Sequence, residues 1–358
     1  GLTGTITLTS LTGAGSTRFG SAATITGGVS AGTVTVVGLL TTDLSGGTVS
    51  AGSLSSASVT GGTTSVTGAA GVTTFNGGTL TVGGVATIGT LTSGTANLNG
   101  TTSSVATLNG GTIVLGTTAL TVSAGTFGDS ISGATGSLIK SSAGVLTLTG
   151  ANTYGAGTTL AAGTLLVGDD AALGAGTLTL DAGEFASIGS VARSFANDLA
   201  LGGSVTLGDA TNDGALSFGG TVSLGGAVRT VTTVADVTFA GIVSGTNGGL
   251  TKDGAGTLTL SAANTFTGGF TLNTGTVFAG TNTSFGTGTV TLNAGVISAV
   301  GSSARTFANA VVLGGDLTFG ATGNLGALSF GALSVGSSAR TLTTVAETAF
   351  TGAFSGSG

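Results

Sequence analysis

The chain has 358 residues, of which 72 are Gly and only 6% are charged, and it contains no Cys, Pro, Met, His or Trp. The lack of Cys excludes disulfides and thiolate chemistry, and a net charge of −6 without a basic patch argues against a nucleic-acid partner. Apolar residues make up 40% of the chain, too many for a disordered protein.

The sequence has no apolar run long enough to cross a membrane as a helix, because Thr, Ser or Gly interrupts each candidate. We therefore expect no transmembrane helix and no membrane insertion of this segment. It also has neither an initiator Met nor a signal peptide, so we interpret it as a mature chain or a fragment.

Residues 1–139 have a short glycine period. Gly46, Gly61, Gly77, Gly94 and Gly110 follow one another at nearly equal spacings, and each precedes a Thr by one or two positions. The segments at 74–83 and 107–116 are near-duplicates, two such periods apart. Gly, Thr and Ser disfavour helix interiors. This pattern predicts coils of about 16 residues, each with three very short strands and three tight corners.

Residues 140–358 contain one long unit written twice. The segment 140–168 returns as 252–280, and at the same offset Arg193 maps to Arg305 and Phe218 to Phe330. One residue is lost before Arg340, which is the counterpart of Arg229. A repeat with a fixed period is typical of stacked architectures. We predict that equivalent residues of the two copies coil in the same way.

Within each copy, apolar residues alternate with Thr, which is the period of a half-buried strand. We predict that Leu148, Leu160, Leu165, Leu258, Leu260 and Leu272 point inward, and that Thr147, Thr149, Thr257 and Thr259 point outward. Asn152 and Asn264 are expected in turns, where Asn tolerates left-handed backbone and bonds to nearby amides.

The two copies resemble the autotransporter passenger-associated strand repeat of bacterial surface and secreted proteins. The matching residues are a Thr-Leu-Thr-Leu-type strand, then Ala-Asn-Thr with Tyr154 or Phe266, then a glycine turn and Gly163-Thr164-Leu165 or Gly275-Thr276-Val277. The second copy departs at Ala262, where the first has Gly150. The resemblance implies a right-handed parallel β-solenoid on an exported protein, and it implies no particular ligand.

Phenylalanines recur through the second half of the chain. Their spacings predict coils of roughly 22 residues, hence five coils in each long unit, with many of the rings stacked along one interior wall. These positions are Phe195, Phe218, Phe239, Phe266, Phe285, Phe307, Phe330 and Phe350.

Charged residues offer few candidate sites. Arg229 precedes Asp236, and Arg340 precedes Glu347, by the same spacing, so a surface ion pair at a repeated corner is expected to be decoration worth about 0–1 kcal/mol. Two acidic groups are the candidates for a polysaccharide-cleaving site: Asp169-Asp170 with Asp181 and Glu184, and Asp209 with Asp213. The second copy of the repeat does not keep the first group, and the chain has no His base. We expect no catalytic, cofactor or metal site.

Several Thr-x-Thr triplets suggest faces that order water and bind ice. They begin at Thr5, Thr24, Thr33, Thr79, Thr147, Thr257 and Thr289. Their irregular spacing argues against one flat array, and Thr is also the ordinary outward residue of a Thr-rich strand. O-glycosylation of the exposed hydroxyls stays open.

The fold expected is all-β, a right-handed parallel β-solenoid (β-helix) with short strands and Gly-rich turns. Residues 1–139 form short coils, 140–251 the first long unit and 252–358 the second, in one continuous solenoid. The function expected is a structural extracellular rod of a bacterial surface protein, either an adhesin stalk or a self-associating fibre subunit. An ice- or glycan-binding solenoid is the alternative, and a polysaccharide lyase is less favoured.

The ends of the chain lead to an expectation about partners. Residues 1–8 already have the alternating pattern of a strand. Residues 354–358 align with residues 243–247, which lie just before the second copy of the motif begins at Lys252. Neither end has a polar or helical cap, which solenoids normally carry. We expect either a longer parent chain or copies stacked end to end, with a host or matrix glycan or protein surface as the other candidate partner.

Overall fold

The computed structural model describes residues 6–356, which fold into two compact units, one ending at Gly176 and the other beginning at Thr177. Thr5 and the outermost residues of both predicted open ends lie outside this range. The described residues form strands and turns without a helix, so none of them forms a helix that could span a membrane.

In the first unit the strands are β1 Ile6–Leu8, β2 Ser16–Phe19, β3 Ala23–Val29, β4 Thr33–Leu44, β5 Thr48–Val59, β6 Thr63–Val66, β7 Ala70–Val82, β8 Ala86–Leu98, β9 Thr102–Leu108, β10 Thr112–Leu115, β11 Ala119–Phe127, β12 Ile131–Ser132, β13 Ser137–Lys140, β14 Val145–Leu148, β15 Thr158–Leu160 and β16 Thr164–Val167.

In the second unit the strands are β17 Leu178–Leu180, β18 Glu184–Ser187, β19 Arg193–Phe195, β20 Leu199–Leu201, β21 Val205–Leu207, β22 Leu216–Phe218, β23 Val222–Ser223, β24 Val228–Thr233, β25 Val237–Phe239, β26 Val243–Ser244, β27 Gly249–Asp253, β28 Thr257–Leu260, β29 Phe270–Leu272, β30 Thr276–Ala279, β31 Val290–Leu292, β32 Gly295–Ala299, β33 Arg305–Thr306, β34 Val311–Leu313, β35 Leu317–Phe319, β36 Leu328–Phe330, β37 Leu333–Ser334, β38 Leu342–Thr344, β39 Thr348–Phe350 and β40 Phe354–Ser355.

Strands pair in parallel with the equivalent strands one coil away, so each unit is a parallel β-solenoid. In the first unit Thr48 pairs with Thr63 and Thr63 with Thr79, which are short steps along the chain. In the second unit the steps are longer, for example from Val237 to Leu258. The fold class expected from the sequence is confirmed, whereas the division at residues 139, 251 and 358 within one continuous solenoid stays a prediction. The expectation of three very short strands in each short coil was wrong, because β4, β5, β7 and β8 run for 12 or 13 residues.

Alternation along the strands builds the core. All six leucines predicted to point inward are buried, and Leu148 and Leu260 are typical at 0% exposure. The four threonines predicted to point outward are exposed or half-exposed. The prediction from the period of two is therefore confirmed, because neighbouring side chains on a strand face opposite sides.

A column of glycines sets one corner of the short coils. Gly47, Gly62, Gly78 and Gly94 have φ between 71° and 88°. A Cβ on Gly62 would lie 2.5 Å from the carbonyl oxygen of Gly47, in the preceding coil. Only glycine combines this left-handed backbone with so close an approach, which explains the glycine period in the sequence.

Phenylalanine rings stack through the core of the second unit, but in two runs, with Phe218 and Phe330 on strands of different sheets, and not along the single wall predicted. Phe195 lies 5.5 Å from Phe218, and Phe218 lies 5.9 Å from Phe239, measured between ring centroids. A second run joins Phe285, Phe307, Phe330 and Phe350 at 4.9–5.5 Å. Phe266 is buried as well. The aromatic pairs add roughly 0.5–1.5 kcal/mol each beyond the burial of their area.

The two copies of the long repeat have the same strand register. Arg193 pairs with Leu216, and in the second copy its counterpart Arg305 pairs with Leu328. In the motif itself Lys140 pairs with Leu160, as Lys252 does with Leu272. The prediction that the two copies coil alike is confirmed at these positions.

Candidate functional site

The feature that most sets the two motif copies apart from the rest of the solenoid is a buried lysine in each. Lys140 ends β13, Lys252 lies in β27, and both are 0% exposed. Each occupies an inward position of its strand, two residues after Leu138 or Leu250, which are buried too. The strand period therefore places these side chains in the core although they carry a charge.

Backbone carbonyl groups surround each ammonium. Lys252 Nζ donates to the carbonyl oxygens of Asp253 at 2.9 Å, Gly254 at 2.6 Å and Thr274 at 3.2 Å. Lys140 Nζ donates to the carbonyl oxygens of Ser142 and of Ala162, the latter at 3.1 Å. Thr274 and Ala162 belong to the next coil. Each lysine therefore ties its own corner to the corner that stacks on it, through charge-assisted hydrogen bonds.

Burial has an electrostatic cost at both lysines. Loss of hydration lowers the pKa of Lys252 to about 8, against a partial opposing effect of the Asp253 carboxylate, and it also lowers the pKa of Lys140. Asp253 itself is held in place by the backbone N–H of Gly254, at 2.8 Å, and by the Thr274 hydroxyl, at 3.0 Å.

A glycine of the next coil packs against each buried ammonium and its carbonyl acceptors, which together we call the lysine niche. Gly275 has φ of +76°, and a Cβ there would lie 2.7 Å from Lys252 Nζ and 2.3 Å from the carbonyl oxygen of Gly254. Gly163 holds the same position over Lys140. The lysine and the glycine that closes its niche therefore form one structural unit of the motif.

The asparagines of the motif also connect coils. Asn264 is 3% exposed; its Oδ1 accepts from the N–H of Val243 at 2.7 Å and its Nδ2 donates to the carbonyl of Ser284 at 2.6 Å. Asn152 makes the equivalent bonds to Ile131 and Ala172.

We predicted that these asparagines occupy turns, with local bonds to nearby amides. They lie between strands, but their shortest bonds reach residues 20 or 21 positions away. The non-glycine residue with left-handed backbone among the described residues is Asn247, with φ of 59°. The expectation of local bonds was wrong because stacking brings the adjacent coil closer than the chain's own neighbours.

The two motif copies differ in one buried pair of side chains, which is polar in the first copy and apolar in the second. Tyr154 is fully buried, with its hydroxyl 2.6 Å from Thr158 Oγ1, which donates to the carbonyl of Leu173 at 2.9 Å. Burial raises the pKa of Tyr154 well above its usual value. In the second copy the equivalent residues are Phe266 and Phe270, both buried. The two hydroxyls are lost together, so neither is left without a partner.

The acidic candidates are distributed differently from what the sequence suggested. Asp169 and Asp170 lie in the first unit, and Asp181 and Glu184 lie in the second. Glu184, at the start of β18, instead interacts with Asp209 after β21. Burial, then a hydrogen bond to Asp209 and its charge, raise the pKa of Glu184.

Asp209 is held by its own turn. The side-chain amide of Asn212 donates to its Oδ2 at 2.8 Å, and its Oδ1 accepts from the N–H of Thr211 at 2.6 Å. These bonds, the one from the Asn212 side chain foremost, lower the pKa of Asp209. Asp213 directly follows this turn, and its Oδ1 accepts from the hydroxyl of Ser190 at 2.7 Å. Within residues 6–356 no three acidic side chains form a group suited to a metal ion.

The expected corner ion pair does not form in the first copy of the repeat. Arg229 donates from Nε to the carbonyl oxygen of Leu224 at 3.1 Å, and the described part of the chain shows no ion pair between Arg229 and Asp236.

The burial of Lys140 and Lys252 was not predicted from the sequence. A sequence signal for it does exist, because each lysine lies two residues after an inward leucine of its strand.

Comparison with protein families gives one match. Residues 138–167 and 250–277 match the passenger-associated-transport-repeat, and these ranges contain both buried lysines, both bridging asparagines and both closing glycines. No curated protein and no solved structure matches the chain. The chain thus consists of β-solenoid units, and two segments of it match the passenger-associated-transport-repeat.

Proposed function

We propose that the chain is a structural stalk segment of a secreted or surface-exposed bacterial passenger protein, with no catalytic role. The observation that carries this proposal is the direction in which the shared motif residues point. Lys252, Asn264 and Gly275 all face the interior and bond or pack against adjacent coils. The buried lysine and asparagine, which both motif copies share, therefore connect coils and are not accessible to a ligand at the surface.

Stacking of this kind favours a mechanical role. The coils are held by backbone ladders and by buried apolar side chains, and at the two motif copies also by the lysine and asparagine bridges, so the stability of the solenoid is a sum of near-neighbour terms. Each bridge replaces solvent contacts by hydrogen bonds worth about 0.5–1.5 kcal/mol, or more where the ammonium donates. A duplicated unit lengthens such an array without a new fold.

Export is tested by replacing the passenger of an autotransporter with this chain. We expect the chain to reach the cell surface, where protease added outside the intact cells degrades it. A chain that stays protected inside the cell would contradict the proposal. A passenger variant of the same length with Lys140→Glu and Lys252→Glu is the control for folding outside the cell.

Sedimentation velocity and electron microscopy of the purified chain test the finer roles. A single elongated species is the result expected of a stalk, and filaments that grow with protein concentration are the result expected of a subunit that stacks end to end. Incubation with pectin-like polymers tests the proposed lack of catalysis, because release of unsaturated product would contradict it.

A further inference from the structure

Thr residues stack in register across the first unit. In successive coils Thr33 pairs with Thr48, Thr48 with Thr63, Thr63 with Thr79, Thr79 with Thr95, and Thr95 with Thr112. The sequence suggested that Thr-x-Thr triplets are too irregularly spaced for one flat array. As a set the triplets do not form one array: those at Thr33 and Thr79 lie in this ladder, whereas Thr24 pairs with Thr41 in another column.

A second column runs beside the first, two residues later in each strand. It consists of Thr35, Ser50, Ser65, Thr81 and Asn97, which also pair in order. We call these two columns the threonine array; it consists of Thr33, Thr48, Thr63, Thr79 and Thr95 in the first column and Thr35, Ser50, Ser65, Thr81 and Asn97 in the second. Neighbouring rows are one strand spacing apart, about 4.8 Å, and the two columns are two residues apart on the strand, about 6.5 Å.

The backbone keeps this array regular. The pairings from Thr48 to Thr63 and from Thr63 to Thr79 have no register shift. The residue before each of these threonines is a glycine of the corner column described above, and the N–H of each threonine donates to the carbonyl of a glycine one coil away, at 2.9 Å for Thr63 and 2.8 Å for Thr79. Thr48, Thr63 and Thr79 therefore occupy the same point of their coils.

The threonine side chains of the first column lie on the solvent side of their strands. Thr33, Thr48 and Thr63 are exposed, and Thr79 and Thr95 are half-exposed. Among the described residues, no hydrogen bond engages the hydroxyl of a first-column threonine; in the second column Asn97 Nδ2 donates to Thr81 Oγ1 at 3.1 Å. Because Thr is β-branched and stiff at χ1, each threonine of the array presents a methyl and a hydroxyl in a nearly fixed direction.

We propose that the threonine array is an ice-binding surface. Liquid water loses entropy when it is ordered on a protein surface, about 0–2 kcal/mol for each molecule. Water in ice has already lost that freedom, so a preorganised, uncharged and periodic set of hydroxyls and methyls binds ice better than it orders liquid water. No charged residue lies in either column of the array.

The same observations argue against a sugar or a protein as the ligand. Aromatic side chains supply rigid, amphipathic contact area, but the array contains none, and the single Tyr of the chain is buried. Protein interfaces depend on Trp, Tyr and Arg anchors in pockets. A ladder of small hydroxyl residues offers none of these anchors.

The test uses the full chain with two substitutions in neighbouring rows, Thr63→Tyr with Thr79→Tyr. The matched control is Thr74→Tyr with Thr90→Tyr, which are half-exposed, stack on each other and are separated from the array by the register shift at Asn76. A third protein, Thr63→Val with Thr79→Val, keeps the shape and removes only the hydroxyls. Circular dichroism melts establish that all variants fold.

Thermal hysteresis and partition into a growing ice hemisphere are the measurements. We expect both for the parent and for the control, a fall to background for the tyrosine pair and a partial loss for the valine pair. The proposal is overturned if the parent shows neither effect or if the control loses as much as the array variant. It is also overturned if the array instead mediates binding to crystalline cellulose or chitin and the parent does not enter ice.

Discussion

Lys252 is a charged side chain that the fold removes completely from water, and its three carbonyl acceptors decide whether it is tolerated. Lys252→Met keeps most of the aliphatic volume but leaves these carbonyls without a donor. We expect a loss of about 1–3 kcal/mol in the free energy of unfolding at pH 7, measured by urea denaturation. Thr251→Ala, on the outward side of the same strand, is the control and is expected to change little.

The same lysine predicts a pH dependence. The unfolded chain holds the lysine proton up to about pH 10.5, but the folded chain holds it only up to about pH 8. Between these values the unfolded state binds more protons, so the free energy of unfolding rises with pH, by at most about 1.4 kcal/mol per pH unit for one proton. We expect this rise above about pH 8 in the parent and a smaller one in Lys252→Met, which retains Lys140. Equal slopes in both proteins would contradict the explanation.

Glu184 predicts a pH dependence of the opposite sign, in which the free energy of unfolding falls as its carboxyl ionises. Burial and Asp209 raise its pKa, so the folded state is penalised wherever the carboxyl is ionised. Glu184→Gln should therefore raise the free energy of unfolding at pH 7, and this gain should vanish below the ordinary pKa of Glu, near pH 4. The measurement is denaturation at both pH values, with the exposed Glu347→Gln as control. A gain that is the same at both pH values would exclude the carboxyl pair as its cause.

At the scale of the element, two corner glycines distinguish the cost of a left-handed backbone from the cost of a collision between coils. Gly275 and Gly301 have nearly the same left-handed backbone, with φ of +76° and +67°. A Cβ on Gly275 collides with the carbonyl of Gly254, whereas one on Gly301 meets nothing within 4 Å.

We expect Gly301→Ala to cost about 1–2 kcal/mol from backbone strain alone. Gly275→Ala should cost about 1–3 kcal/mol more because of the collision with the preceding coil. Chemical denaturation of the two variants gives the difference directly. If both cost the same, the close approach of coils at the lysine niche does not contribute to stability.

At the scale of the whole molecule, the register predicts which deletions the solenoid accepts. Removing residues 63–78 takes out one complete short coil and lets Thr79 follow Gly62 in the phase of Thr63. We expect this variant to fold, with a far-UV circular dichroism spectrum per residue like that of the parent and a cooperative melt.

The control deletion removes residues 63–70, half of that coil. It shifts the following strands to other sides of the coil and moves the corner Gly78 to the strand position of Ala70, and it is expected to give an aggregating or poorly folded protein. A half-coil deletion that folds as well as the full-coil deletion would show that the stacking register does not specify the first unit.

The sequence alone determined the fold class and the local direction of most side chains. A period of two sends Leu148 and Leu260 inward whatever the rest of the chain does, and the long repeat requires equal coils at Arg193 and Arg305. Both properties follow from local alternation and from identity between copies, so they need no knowledge of distant contacts.

The tertiary structure decided what each position faces across the stack. Only stacking shows that Asn264 bonds to Val243 and Ser284, that Glu184 meets Asp209, and that Thr33 and Thr79 share one array. The physical reason is that the partner of a solenoid residue lies one coil away, a short step along the chain from Thr48 to Thr63 but a much longer one from Val205 to Val231. Because that distance varies from coil to coil, spacing in the sequence does not reveal the pairing.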